Sequence, residues 1–425
     1  MSVAGRKTAG ADVSGWRLGN GFTMKAVVWH GTGDIRLDDV PDKKIEQSTD
    51  AVIRITRSAI CGTDLHMVRG TMPGMVPGTI LGHEAVGVVE AVGDDVRNFT
   101  PGERVVVGST IGCGACSYCR AGYYAQCDKV NPNGPSAGTS FFGGPQPTGP
   151  FDGLQAEYAR IPFAATNLVH LPDGVSDDQA ILLSDIYPTA WFGARLAEVT
   201  KGDTVLVLGA GVVGQFAIAS AKRQGATRVL CVDGNLDRLE YARTQNAEII
   251  NFNVEDPVAV VKELTNGIGV DRVIDAVGVD AQRPKSGPAA VSDEQARSYD
   301  AEVAATAPDA SPQGDLWVPG DAPSIASQWA VQAVAKAGTI GVIGVYPQTF
   351  TSYPFGEAFN KNLTLKMGNC NHRRYIPQLL DDVLTGVLDP TAFISQQDTP
   401  MNAIEAYQTF DQREEGWLKT VLQVA

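Results

Sequence analysis

From Met24 to about residue 163 the apolar positions come in short runs in which apolar and polar residues alternate: "AVVWH", "DAVIRITRSAI", "HEAVGVVEAVG", "ERVVVG" and "AEYARIP". A period of two predicts strands with one buried face, and the Gly and Pro residues between the runs predict turns. Short strands spaced this way suit a partly open β-barrel. Near Asp185 the pattern changes. "TVLVLGA" leads into the helical pattern "GVVGQFAIASAKRQG", "RVLCVDG" into "NLDRLEYARTQN", and "AEIINF" into "DPVAVVKELTNG", before the strand "VDRVIDAVG". Strands alternating with amphipathic helices predict a doubly wound parallel sheet, so the expected class is α/β with an all-β partner domain.

The rhythm then stops for residues 279–323, which are rich in Ala, Pro, Asp, Gly and Ser and read as a functional loop or a surface insertion. It resumes with the helix "SIASQWAVQAVAKAG" and the strand "TIGVIGVY", placed at a sheet edge where it can pair across a twofold. The expected division is a barrel domain from 24–184 together with 352–425, the tail folding back onto it, and a parallel-sheet domain from 185–351. Residues 1–23 have no period and precede a second methionine, so they read as a flexible extension from an upstream start codon.

A chain of 425 residues exceeds one ordinary core, in keeping with two domains. Its net charge of -14 disfavours nucleic acid or an anionic membrane as a partner and leaves a small molecule or a second subunit. No run of about 18 apolar residues predicts a membrane span, and the first twenty residues lack the apolar segment of a signal peptide. The reading is cytoplasmic.

In such a compartment, four of the seven cysteines packed into "CGACSYCRAGYYAQC" point to a metal rather than disulfides. Cys113, Cys116, Cys119 and Cys127 can close a tetrahedral thiolate shell around a structural zinc. An iron–sulfur cluster is the metal alternative, without any second cluster-binding run to support it.

"VLVLGAGVVG" places Gly209, Gly211 and Gly214 directly after a strand and at the opening of a helix. There the first glycine turns the chain, the second admits a pyrophosphate and the third lets the helix pack. Val212 and Val213 complete the turn. The next strand ends in Asp233, whose carboxylate suits the ribose hydroxyls of NAD and repels the extra phosphate of NADP, while Arg238 one helical turn on can hold that phosphate. A ligand-free strand-to-helix turn is the bland alternative.

Three further fragments carry Cys61, His83 with Glu84, and Asp185. A thiolate, an imidazole and a carboxylate make three ligands and leave a fourth position on zinc for substrate. Taken singly, Cys61 is a small core residue, His83 a satisfied core histidine and Asp185 a cap for the helix containing Pro188.

"CGTDLH", "GHEAVG", the four-cysteine lobe and the nucleotide fold, in this order, resemble the zinc-dependent medium-chain alcohol dehydrogenases, whose barrel is GroES-like and whose coenzyme domain is a Rossmann fold. "LSDIYPTA" and the insertion are most similar to the glutathione-independent formaldehyde dehydrogenase branch. The resemblance implies a catalytic zinc on Cys61, His83 and Asp185, with Glu84 behind it as the competing carboxylate for the third ligand position, and a structural zinc on the four cysteines. It implies that Thr63 touches the substrate oxygen, that His66 ends a proton relay to solvent, and that Asp64 orients the His83 imidazole. NAD would lie on the glycine turn, with Thr189, Val277, Gly278 and Val345 around the nicotinamide. Gly62 departs from members with an arginine there, so phosphate contacts are expected from His372 and Arg373, which otherwise read as a solvated helix start.

The implied reaction is hydride transfer between an alcohol or aldehyde and NAD in a homodimer or homotetramer, with formaldehyde or another short aldehyde as a candidate substrate. In the resembling branch the insertion covers a tightly held cofactor and permits aldehyde dismutation. Two alternatives remain at this point: a polyol or amino-alcohol dehydrogenase on the same scaffold, and an NAD-binding sensor without turnover. Docking of a partner onto the insertion is a further possible use of that segment.

Overall fold

The computed structural model describes residues 23–133, 138–149 and 151–424. The expected extension at 1–23 lies outside these residues except for Thr23, which opens the strand Thr23–Gly31.

The first domain is built from two sheets, as the alternating pattern predicts. Thr23–Gly31 pairs antiparallel with both Asp34–Pro41 and Thr79–Ile80. The larger sheet has seven strands, with Ala51–Ile60 paired to Ala85–Val92, Tyr158–Ile161 and the C-terminal Thr420–Gln423. Together they form the GroES-like, partly open barrel, and the C-terminus does return to it.

The second domain is a six-stranded parallel sheet in the order Glu248–Asn251, Arg228–Asp233, Thr204–Leu208, Val270–Asp275, Val334–Val342, Thr364–Met367. All its pairs are parallel, and the order reverses between Thr204–Leu208 and Val270–Asp275. This is the Rossmann arrangement, whose ligand crevice opens at the carboxyl ends of those two strands. Helix starts follow local chemistry: Asp256 caps the helix Pro257–Leu264 through the Val258 and Ala259 amides, with Pro257 in the first position, where no amide is needed.

Three expectations are corrected. The sheet runs past residue 351, because Thr364–Met367 pairs with Val334–Val342, so the return to the barrel begins after Met367. For the same reason "TIGVIGVY" is an inner strand hydrogen-bonded on both sides, and Thr364–Met367 forms the edge. The segment 279–323 contains the helix Asp293–Thr306, started by a capping box in which the Ser292 hydroxyl accepts the Gln295 amide and the Gln295 side chain accepts the Ser292 amide. It also buries Trp317 among Trp29, Leu65, Val68, Tyr407 and Phe410 of the barrel domain.

The main apolar core crosses the domain boundary, joining Cys61, Val86 and Val106 to Tyr187, Val207 and Ile376. The two helices Asp177–Ser184 and Ile186–Leu196 meet at Asp185, inside this shared core. Among the described residues no helix is long and apolar enough to cross a membrane.

Candidate active site

The four-cysteine lobe folds around its own backbone amides. The Ala115 and Cys116 amides donate to Cys113 Sγ at 3.4 and 3.3 Å, the Cys119 amide to Cys116 Sγ at 3.4 Å, and the Cys113 amide to Cys127 Sγ at 3.3 Å. All four sulfurs lie within 4.8 Å of one another. Burial raises the Cys113 thiol pKa, but the two amides override it and leave it lowered; at Cys119 and Cys127 burial wins and the pKa values are raised. Four adjacent thiolates need a compensating cation, and this amide-supported, all-sulfur set fits zinc.

The second cluster assembles Cys61, His83, Glu84 and Asp185, all buried, with one donor atom from each within 4.8 Å of the others. Cys61 begins the short helix Gly62–Val68, and its amide donates to Asp64 Oδ2 at 2.9 Å. Asp64 Oδ1 meets His83 Nδ1 at 2.9 Å, leaving Nε2 aimed at Asp185 Oδ2, 3.3 Å away. Asp64 therefore closes the helix and orients the imidazole at once. Gln155, which sequence reasoning missed, donates to Asp64 Oδ2 and is itself held by the Tyr407 hydroxyl.

Asp185 occupies the cap position of Ile186–Leu196 without capping it through its side chain. Its Oδ2 faces Cys61 Sγ at 3.9 Å and His83, while Oδ1 accepts from the Thr189 hydroxyl at 2.8 Å and lies 2.6 Å from His372 Nε2. Burial alone would raise the Asp185 pKa, but hydrogen bonds from His372 and His83 hold it well below the usual range. Burial likewise pushes the Cys61 thiol up despite His83, so a thiolate there requires a stronger positive charge beside it. Glu84 is fully buried, its Oε1 paired with Lys419 Nζ at 2.5 Å and its Oε2 without a partner among the described residues. An orphaned carboxylate oxygen beside a thiol, an imidazole and a second carboxylate fits a divalent cation. Lys419 was also missed, although a lysine inside the apolar run "LKTVLQV" is the signal that could have found it.

Two expected cofactor residues lie elsewhere. His372 is buried with both ring nitrogens engaged, Nε2 at Asp185 and Nδ1 at the Thr110 hydroxyl, 3.0 Å away, so neither is left for a phosphate. The Thr189 hydroxyl is turned to the same carboxylate. Arg373 is half-buried in the first turn of the helix His372–Leu384. Thr63 is half-buried two positions after Cys61. His66 is not at solvent: it is 4% exposed, and its Nδ1 has no partner among the described residues. Burial lowers its pKa; Asp280 opposes this, while Arg69 and Arg413 reinforce it.

The glycine turn is built as expected. Gly209 has φ +89°, and a Cβ on Gly214 would overlap the Gly209 carbonyl. Gly211 differs: its φ is ordinary, and the one atom near an added Cβ is an Arg238 guanidinium nitrogen 3.9 Å away. The protein's own packing does not demand that glycine, which fits a close ligand approach to the backbone. Val212 and Val213 begin the helix Val212–Arg223. Asp233 accepts the Ala210 amide at 2.7 Å and the Asn235 amide at 2.9 Å, fixing the turn to the second strand. On the neighbouring strand end Val277 packs against Gly209, and Gly278, at φ +68°, lies backbone to backbone against Gly344 and Val345. Asp280, just beyond, pairs with Arg69 at the end of the Cys61 helix, which ties that helix to the strand end beside the glycine turn.

Residues 47–173 match the alcohol dehydrogenase GroES-like domain, and residues 212–286 match the zinc-binding dehydrogenase family. An uncharacterized zinc-type alcohol dehydrogenase-like protein of Bacillus subtilis is 36% identical over 404 residues, 94% of this chain and 100% of its own. A glutathione-independent formaldehyde dehydrogenase of Pseudomonas aeruginosa is 35% identical over 271 residues, 61% of this chain and 66% of its own. Among solved structures, alcohol dehydrogenase TADH from Thermus sp. ATN1 superposes with a TM-score of 0.75 at 32% identity, covering 95% of this chain and 100% of that one.

Proposed function

The chain belongs to the zinc-dependent medium-chain alcohol dehydrogenase family, and we propose that it oxidises a small alcohol, or reduces the matching aldehyde, with NAD as the hydride partner. The observation that carries this reading is the clustering of Cys61, His83 and Asp185, with Asp64 behind the imidazole, in a chain that also folds a glycine turn between strand and helix. A pure NAD-binding sensor needs none of the four.

A zinc on Cys61, His83 and Asp185 would act as a Lewis acid on the substrate oxygen, and a second on the four cysteines would hold the lobe together. Thr63, two residues from Cys61, would take the substrate proton. His66, buried with Asp280, Arg69 and Arg413 as charged neighbours, would receive it next. Gly209, Gly211 and Gly214 would admit the pyrophosphate, with Asp233 and Arg238 at the ribose and the crossing at Val277, Gly278 and Val345 behind the nicotinamide. Arg373 remains a candidate for phosphate, and the working assembly would be a homodimer or homotetramer.

Native mass spectrometry of the protein as purified, followed by assay of short alcohols, formaldehyde and polyols with NAD and NADP, tests the reading. It expects two zinc ions per chain and NAD-linked turnover of a short alcohol or aldehyde that Cys61→Ser abolishes. Turnover confined to polyols would move the substrate assignment, and two bound zincs with no turnover of any of these compounds would favour the sensor.

A further inference from the structure

The two ligands His83 and Asp185 are supported in opposite ways. A carboxylate, Asp64, stands behind the imidazole, whereas an imidazole, His372, stands behind the carboxylate. The second relation joins residues 187 positions apart, both of them buried. Asp185 Oδ2 points to Cys61 and His83, and the other oxygen is taken by His372 Nε2 at 2.6 Å and the Thr189 hydroxyl at 2.8 Å. Thr189 Oγ1 is also 3.2 Å from the same ring nitrogen, so the three groups form a closed triangle. Beyond them His372 Nδ1 meets Thr110 Oγ1 at 3.0 Å, and that hydroxyl lies 3.0 Å from the Cys370 carbonyl.

We infer that His372 is a positioning residue for the catalytic metal: it holds the Asp185 carboxylate so that Oδ2 alone is presented to the metal. This rests on the zinc reading of Cys61, His83 and Asp185. A free carboxylate can bind a metal through one oxygen or two. With Oδ1 engaged by two donors, Oδ2 alone is available, which keeps the site open to substrate. The 2.6 Å contact between Nε2 and a carboxylate oxygen, which can only accept, places a ring proton on Nε2 facing Asp185. Each of the two side chains is thus held by a buried partner, the imidazole by Asp64 and the carboxylate by His372, so that the pair fixes the geometry offered to the metal.

The test uses the full-length zinc enzyme and its cobalt-substituted form, comparing His372→Phe, His372→Gln and Thr110→Val with the parent. His372→Phe should speed loss of the catalytic metal to a chelator by about 10- to 100-fold and lower kcat, while the four-cysteine zinc stays bound. The visible cobalt bands should shift as Asp185 loses its fixed orientation. His372→Gln, whose amide can donate to Oδ1, should restore most of the retention. If His372→Phe does not fold, Thr110→Val decides: faster metal loss with an altered cobalt spectrum supports the inference, and parent-like values overturn it. An unchanged spectrum and retention in His372→Phe, with only a raised cofactor KM, would return His372 to a phosphate-contact role. A parent holding one metal per chain, unaffected by Cys61→Ser, would remove the zinc reading itself, an outcome distinct from a two-metal parent whose His372 variants are silent.

Discussion

Asp64 lies with one carboxylate oxygen 2.9 Å from His83 Nδ1 and the other 2.9 Å from the Cys61 amide, so one buried side chain fixes two members of the proposed metal site. Asp64→Asn sets an amide NH2 against one of these two donors. Losing such an orienting partner costs about 10- to 100-fold in metal affinity or activity. We expect that loss in chelator-challenged metal retention and in kcat/KM. Parent-like behaviour of Asp64→Asn would mean that the helix, not the carboxylate, positions His83.

His66 gives the fold a pH dependence of known sign. Burial holds its pKa below the ordinary value of about 6.5, with Arg69 and Arg413 reinforcing the effect and Asp280 opposing it. The unfolded chain therefore binds the proton first. Stability contributed by neutral His66 is full above about pH 6.5 and is lost as the pH falls through the lower folded value. Asp280, whose pKa is itself depressed mainly by Arg69 against its burial, adds stability present above about 3.8 and lost at more acid pH. His66→Gln should flatten the upper part of the profile alone. Thermal midpoints between pH 5 and 7.5 check this, and an unchanged slope would refute it.

Arg69 is 2% exposed and joins Asp411 of the barrel domain, Nε to Oδ1 at 2.7 Å, to Asp280 of the coenzyme domain. Arg69→Met removes the charged partner of Asp411, which keeps the Trp317 amide, and leaves Asp280 with Arg413 and the Gly320 amide; breaking a buried pair in this way costs about 3–5 kcal/mol. The exposed pair Lys25–Asp39 is the contrast: Asp39→Ala should change stability by about 0–1 kcal/mol. Urea unfolding of both variants measures the difference, and equal effects would show that burial does not decide the energy here.

These residues also mark what the sequence made legible. The glycine turn, the cysteine lobe and the "CGTDLH" helix are local: spacing alone dictates which backbone amides and side chains meet. The support of Asp185 is not, since His372 lies 187 residues away, and Glu84 meets Lys419 across 335. A motif cannot show that an apparent helix-start histidine is rotated into the core by the packing of Tyr375, Ile376 and Leu379. The helix Asp293–Thr306 was missed: Ser292 and Gln295 have the capping-box spacing, but the surrounding Ala, Pro and Gly content masked it.

Cys119→Ser tests the lobe. Cys119 is buried, and its amide and thiol belong to the same knuckle as Cys116. A serine oxygen is a poor replacement for the fourth soft ligand, so one zinc per chain should be lost on mild chelation while the catalytic site keeps its own. The thermal midpoint should fall, because metal-binding energy at a structural site is folding energy. Retention of both zincs would argue that three sulfurs suffice.

If NAD is the cofactor as proposed, Asp233 should select it, and that role can be separated from its structural duty. Its two oxygens already accept the Ala210 and Asn235 amides, which fixes the carboxylate at the end of the strand Arg228–Asp233 with lone pairs to spare. Arg238, beside Gly211, has no partner for its Nε among the described residues. With Asp233 present the site should favour the free ribose hydroxyls of NAD; with the charge removed, Arg238 becomes the dominant group and should welcome the 2′-phosphate of NADP. Hydrogen bonds to a charged group contribute about 1.5–3 kcal/mol, so Asp233→Ser should lower kcat/KM for NAD by about 10- to 150-fold. The value for NADP should rise in the same variant. Asp233→Asn separates the two effects: it keeps an acceptor for the Ala210 amide while removing the repulsion, so it should gain NADP use with a smaller loss of stability than Asp233→Ser. If the NAD to NADP ratio moves in neither variant, the ribose does not lie at Asp233.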